Sequence, residues 1–260
     1  MDNLTLKLVV TPALIGTATL VGRRWGQAVG GWLVGLPLTT GPVAFFIALD
    51  HGETFAASAA FGSLGGVIAE AAFALAYGRL ATRGRWPLAL LAGSAAFGAG
   101  AVVLERLTLG PGALVLVAVG ALVLVMRLLP ARASGPAPAA PPPPRWDLPT
   151  RMLLATVVVL LLTSLAPRLG PQLSGLLATF PLFAAILTAF AHRLQGAGAA
   201  VAVLRGLLYG LFAFTAFCLV LGLGLPRLGI APAFTAAVVV ALAVQAVSLL
   251  LLPARSARAS

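Results

Sequence analysis

"GLPLTTGP", residues 35–42, interrupts an apolar run that otherwise reads as a membrane-spanning helix. Within eight residues it holds two glycines, two prolines and two threonines. A proline inside a helix removes one backbone N–H, and its ring clashes with the carbonyl four residues earlier. Water satisfies such a freed carbonyl at a soluble surface, whereas hydrocarbon does not. The environment of this stretch therefore decides how the whole chain is read.

Composition settles that environment. Of 260 residues, 60% are hydrophobic and only 9% are charged, where a soluble domain carries about a quarter charged residues. The apolar runs repeatedly reach the length of about 20 residues that crosses a bilayer core. A membrane β-barrel would instead alternate in ten-residue segments. The fold class expected is an all-α polytopic membrane protein. Runs between punctuating residues give nine spans, at 4–22, 27–49, 54–78, 86–104, 111–129, 150–166, 171–191, 199–224 and 231–252. The first run lacks a basic leader and a small-residue cleavage site and reads as a retained helix. Residues 131–148, "ARASGPAPAAPPPPRWDL", are too rich in proline and alanine to pack a core and read as an extended linker. Three regions follow: a first membrane repeat over 1–130, the linker over 131–148 and a second repeat over 149–260.

The net charge of +11 is a topology signal here. One side of the membrane collects twelve arginines, among them Arg23, Arg24, Arg145, Arg151 and Arg193; the other has Lys7, Arg106, Arg168 and Arg227. The positive-inside rule places the N-terminus outside and the linker and C-terminus in the cytoplasm. Nucleic acid is excluded as a partner, because basic loops beside Trp25, Trp86 and Trp146 are what interfacial anchoring requires. The single Cys218 sits in an apolar run, so no disulfide framework or thiolate cluster is expected.

Shifting the chain against itself by 144 residues, without a gap, reveals a second copy. Gly26, Gly31, Pro37, Phe46 and Gly52 fall on Gly170, Gly175, Pro181, Phe190 and Gly196, and Gly62, Gly66 and Phe73 fall on Gly206, Gly210 and Phe217. Five spans precede the second copy, so equivalent helices cross in opposite directions. The expectation is an inverted repeat in a 5+4 arrangement, with helices 2 and 7 broken at Pro37 and Pro181. Secondary transporters are commonly built this way, with cargo held near the midplane by discontinuous helices. Thr39 and Thr40 in one copy and Thr179 in the other supply hydroxyls beside the breaks. A simple kink, re-satisfied by neighbouring helices, is the plainer reading of either proline.

Two charges lie inside spans. Glu70 and Arg205 fall within about one helical turn of the same depth, close enough to pair. Charges at such depth cost about 2.5 kcal/mol or more and usually face a protein interior or pathway. Glu70 reads as a proton- or cation-coupling carboxylate, and Arg205 as its countercharge or a clamp for an anionic substrate. The alternatives are a packing ion pair or an arginine that snorkels to the surface. Gln245 and Tyr209 join the candidate site as weaker hydrogen-bonding members. Gly62-x-x-x-Gly66 and Gly206-x-x-x-Gly210 fit close helix contact. His51 and His192 read as solvated loop-edge residues on opposite sides. There is no nucleotide-binding loop, no HExxH and no nucleophile with a partner histidine at depth, so neither an enzyme nor a cofactor is expected.

The runs "SGLLATFPLFAAILTAFAHRLQGAGAAVAVLRGLLYGLFAFTAF" (174–217) and "LPRLGIAPAFTAAVVVALAVQAVSLLLL" (225–252) resemble the GlpM family of small bacterial inner-membrane proteins. The resemblance covers residues 150–252 and, through the repeat, faintly 4–80. It implies an architecture: a single-repeat ancestor duplicated and fused through an extra helix. The functional expectation is a secondary transporter or exporter of a small solute, with a site formed by Pro37, Thr39, Thr40, Thr179, Pro181, Glu70, Arg205, Gln245 and Tyr209. A lipid or lipid-linked-precursor flippase and a non-transporting scaffold for envelope polysaccharide synthesis are the alternatives. Membrane lipids and a small-molecule or lipid cargo are the partners expected, and a homo-oligomer is allowed.

Overall fold

A computed structural model of the chain describes residues 3–37, 40–107, 109–130, 144–161 and 180–251. Every regular element among the described residues is an α-helix. In chain order these are α1 (Asn3–Trp25), α2 (Gln27–Val34), α3 (Thr40–His51), α4 (Glu53–Ala81), α5 (Trp86–Arg106) and α6 (Pro111–Leu128). A helical run over residues 147–161 (α7) follows, then α8 (Leu182–Gln195), α9 (Ala197–Leu228) and α10 (Ile230–Leu251).

Local chemistry sets these boundaries. Pro87 and Pro111 stand in the first turns of α5 and α6, where a missing N–H costs nothing. Gly26, Gly52, Gly196 and Gly229 each turn one helix into the next as a single residue, at φ of +106°, +86°, +88° and +80°. Only glycine reaches such values without strain.

Among the described residues, five helices are long and apolar enough to cross a membrane: α4, α5, α6, α9 and α10. α8 is apolar but shorter. Among the described residues the nine expected spans are thus not all continuous helices. The stretch 27–49 divides into two short helices, α2 and α3, because Gly35 and Pro37 stop the first of them. The expected span 171–191 contributes α8 from Leu182 onward, and residues 162–179 lie outside the described residues. The linker expected at 131–148 also ends sooner than its composition suggests. Residues 147 and 148 already belong to α7, whose first turn closes with the Thr150 N–H donating to the Trp146 carbonyl at 3.0 Å. Residues 131–143 lie outside the described residues.

The bundle is organised around α9, which packs against α2, α4, α6, α8 and α10. In its most apolar window 61% of residues are buried inside the protein, against 17% in α5 and in α6. A helix apolar all round belongs at the centre, and the sparsely covered α5 and α6 belong at the rim. The α2–α9 crossing is close because it is made of glycines. A Cβ on Gly31 would run into the Val203 carbonyl oxygen, and one on Gly206 into that of Ala28. A Cβ on Gly35 would lie 2.5 Å from Gly210 Cα. Two small-xxx-small patterns, Gly31/Gly35 and Gly206/Gly210, therefore face each other backbone to backbone. A Cβ on Gly62 would meet no described residue within 4 Å.

The 144-residue offset recurs in the backbone. α4 and α9 begin at residues 53 and 197, α5 and α10 at 86 and 230, and the corner glycines are 52 and 196.

Candidate functional site

The break between α2 and α3 can be built atom by atom. Pro37 has no N–H to offer the Leu33 carbonyl, so that carbonyl accepts the Leu36 N–H at 3.2 Å in a tightened last turn. The shift orphans the next carbonyl back, that of Trp32, which a continuous helix would pair with Leu36. Gln245 of α10 fills the gap: its Nε2 donates to the Trp32 carbonyl at 3.0 Å. Ser248, one turn on, accepts the Trp32 indole Nε1–H at 2.8 Å and donates to the Gln245 carbonyl at 2.8 Å. The carbonyl freed by the break is thus held by a side chain from the far end of the sequence. Gly210 permits it, since a Cβ there would stand 2.6 Å from the Trp32 oxygen. Gln245 Oε1 is buried and has no partner among the described residues. Beyond the break, the Gly41 N–H donates to the Pro37 carbonyl at 2.9 Å, and α3 restarts at Thr40. Pro37 and Thr40 are half-buried; Thr39 lies outside the described residues.

Pro181 is buried and stands immediately before α8, its carbonyl accepting the Ala185 N–H at 2.8 Å. Thr179 lies outside the described residues. Phe180 packs edge-on against Phe73 at 6.1 Å and Phe97 at 5.4 Å, which sets the start of α8 against α4 and α5. Thr188 of α8 is fully buried, and its hydroxyl has no partner among the described residues.

Glu70 lies on α4, one turn from Phe73, and is half-buried. The expected pairing with Arg205 does not form. Arg205 Nη2 donates to the carbonyls of Leu129 and Pro130, at 3.1 and 2.9 Å, and Arg79 Nε donates to that of Leu128 at 3.3 Å. The C-terminus of α6 has unpaired carbonyls and a partial negative charge, and two arginines take it up. This holds Arg205 at the level of Gly78, whose built Cβ would meet Leu129 and Leu204, about 12 Å along α4 from Glu70. Among the described residues, ion pairs occur only at Asp147, so Glu70 has none there. Tyr209, half-buried on α9, makes no hydrogen bond with a described residue.

The candidate residues therefore separate. Pro37, Thr40 and Gln245 gather at the break, Glu70 and Pro181 are linked through Phe73 and Phe180, and Arg205 stands apart as a helix cap.

A further cluster was not anticipated. Asp147 is fully buried and accepts from Arg23 Nη2 at 2.7 Å and from Arg151 Nε at 2.8 Å. Arg151 also lies over the Phe190 ring, 4.8 Å from its centroid. In the sequence Arg23 and Arg151 read as orientation charges, and Asp147 as part of the linker. The available signal was Asp147 as a lone acid four residues before Arg151, the spacing of a helical ion pair. His192 also departs from expectation. It is half-buried, with Nδ1 3.3 Å from the hydroxyl of the fully buried Tyr77.

Compared with known proteins, the chain matches no family model, no curated sequence and no solved structure.

Proposed function

We propose that the chain is a secondary transporter or exporter of a small solute in the bacterial cytoplasmic membrane, with two membrane repeats of opposite orientation moving about the α2–α3 break. The observation that carries the reading is the Trp32 carbonyl. Inside a bundle, a helix is interrupted and its freed carbonyl is held by the Gln245 amide, 213 residues away. A side chain can release that carbonyl and a cargo can take it, which a continuous helix does not allow.

Two features support the inverted arrangement. The starts of α4 and α9, and of α5 and α10, share the 144-residue offset. The Arg23–Asp147 pair sets the end of α1 beside the start of α7, the placement that equivalent helices of opposite direction require. On this reading the N-terminus is outside, the GlpM-like second half reflects the ancestral repeat, and Thr39, Thr40 and Thr179 offer hydroxyls to the cargo. Glu70, about 4.5 Å from the midpoint of α4 and without an ion pair among the described residues, carries the coupling proton.

The test is aqueous access to Thr40→Cys in a Cys218→Ser background, using an impermeant thiol reagent applied from each side in turn. Labelling from both faces is the expected result. Protection from both faces describes a dry, static bundle and replaces transport with the scaffold reading.

A further inference from the structure

The α1–α7 corner carries more positive charge than it cancels. Two guanidiniums share the one carboxylate of Asp147, which leaves one positive charge in excess. Arg24 and Arg193 add two more at the rim, lying over the rings of Trp25 at 5.7 Å and Trp146 at 5.8 Å. The other acids among the described residues, Asp50, Glu53, Glu70 and Glu105, belong to α3, α4 and α5 and make no ion pair with these arginines. Uncompensated charge in a protein interior is costly, and an anion relieves it.

The cluster has an open side to admit that anion. Arg23 Nε is buried and has no hydrogen-bond partner among the described residues, so this guanidinium is not fully satisfied within the protein. The Arg151 and Asp147 side chains are 3% and 1% exposed, whereas that of Arg23 is 30% exposed. The opening is therefore at Arg23. Around it stand two indoles, Trp25 and Trp146, 58% and 47% exposed, as side chains of the membrane–water boundary do. One turn deeper, the helices turn apolar and exposed: Leu20 on α1 and Leu154 on α7. These lie three residues from Arg23 and from Arg151, so each shares the face of its arginine.

A cationic opening at the boundary above an apolar strip fits a molecule with an anionic head and hydrocarbon tails. We propose that Arg23, Asp147 and Arg151 form a binding site for the phosphate of an anionic phospholipid, with an acyl chain lying along Leu20 and Leu154. The guanidinium fork suits two phosphate oxygens. Selectivity follows from the charge excess, since a zwitterionic lipid brings its own ammonium into an already cationic corner. The proposal does not depend on transport.

The test uses the full chain in detergent and native mass spectrometry. Phosphatidylglycerol, phosphatidylethanolamine and inorganic phosphate are added separately. The expected result on the unaltered protein is phosphatidylglycerol retained at collision energies that strip phosphatidylethanolamine, with no adduct from inorganic phosphate. Arg23→Gln is expected to lower phosphatidylglycerol affinity about fivefold, the contribution of one basic residue beside an anionic surface. Arg83→Gln, which removes the same charge from an exposed turn, is expected to change it less than twofold. Equal retention of the two lipids overturns the proposal. So does an equal loss in the two variants, which would mean diffuse attraction, and so does competition by inorganic phosphate, which would mean a site for a free anion. If Arg23→Gln yields no folded protein, the three-ligand comparison on the unaltered chain still decides.

Discussion

α4 and α9 occupy equivalent places in the 144-residue offset. They begin at Glu53 and Ala197, after Gly52 and Gly196 at φ of +86° and +88°. α9 is the more enclosed, with 61% of its apolar window buried against 39% in α4. Its Gly206 and Gly210 bring α2 into backbone contact, and its one charge at depth, Arg205, caps α6. A Cβ on the matching Gly62 would meet no described residue within 4 Å, and the charge on α4, Glu70, has no ion pair among the described residues. Phenylalanines, Phe214 and Phe61, stand where each charge would recur in the other copy. Helices at equivalent places in the offset thus differ: α9 uses its glycines and its arginine to hold the bundle, and α4 leaves its acid without an ion pair among the described residues.

The same substitution at equivalent glycines breaks or sharpens this contrast most strongly. Gly206→Ala puts a methyl group into the Ala28 carbonyl, and backbone has no rotamer by which to yield. A loss of about 3 kcal/mol or more is expected, read as lost monodisperse yield and a lowered Tm in detergent. Gly62→Ala is expected to stay within about 0.5 kcal/mol. Equal effects would mean that the two helices carry the same packing load.

Glu70→Gln is the next largest effect, and it falls on activity. In proteoliposomes with an imposed pH gradient, the proton flux reported by an internal dye is expected to fall at least about tenfold, with folded yield intact. A carboxylate at this depth costs stability, so its amide is expected to raise Tm slightly. Unchanged flux would remove Glu70 from the mechanism and leave α4 as structural as α9.

Gln245→Leu probes the hold on the break. It removes the donor to the Trp32 carbonyl and leaves that acceptor buried, at a cost of about 1–2 kcal/mol. Tyr209→Phe, at a hydroxyl without a hydrogen bond among the described residues, is expected to change Tm little. Reversal of that order would move the polar centre of the site from α10 to α9.

The residues explain what the sequence made legible. A helix break at Pro37 was readable because proline acts locally, on its own N–H and on the carbonyl four residues earlier. Of the corner glycines, Gly52 and Gly196 share the offset, while Gly229 falls on Arg85 and carries no such signal. Which groups satisfy the break was not readable, because Gln245 meets Trp32 across 213 residues, and no periodicity encodes that distance. The expected Glu70–Arg205 pair failed for a related reason. Depth read from span centres puts the two within about one helical turn. Arg205 instead stands at the level of Gly78, about 12 Å along α4 from Glu70, where the carbonyl end of α6 takes its guanidinium, and loop carbonyls carry no sequence signature. Asp147 was hidden by proline-rich neighbours, whose composition describes the residues before it and not its place at the head of α7.

The smallest effect expected is also the most discriminating. Arg205→Gln keeps an amide donor but loses the charge that faces Leu129 and Pro130, at a cost of about 1 kcal/mol at a half-buried helix terminus. The double variant with Glu70→Gln then completes a cycle. If the two groups are as separate as their partners indicate, the two changes in Tm-derived stability add to within about 0.5 kcal/mol. A coupling above about 1 kcal/mol would mean that they interact in some state the protein visits, for instance when the halves move. In that case Arg205 leaves the α6 carbonyls as Glu70 ionises, and the helix that holds the bundle also takes part in its switching.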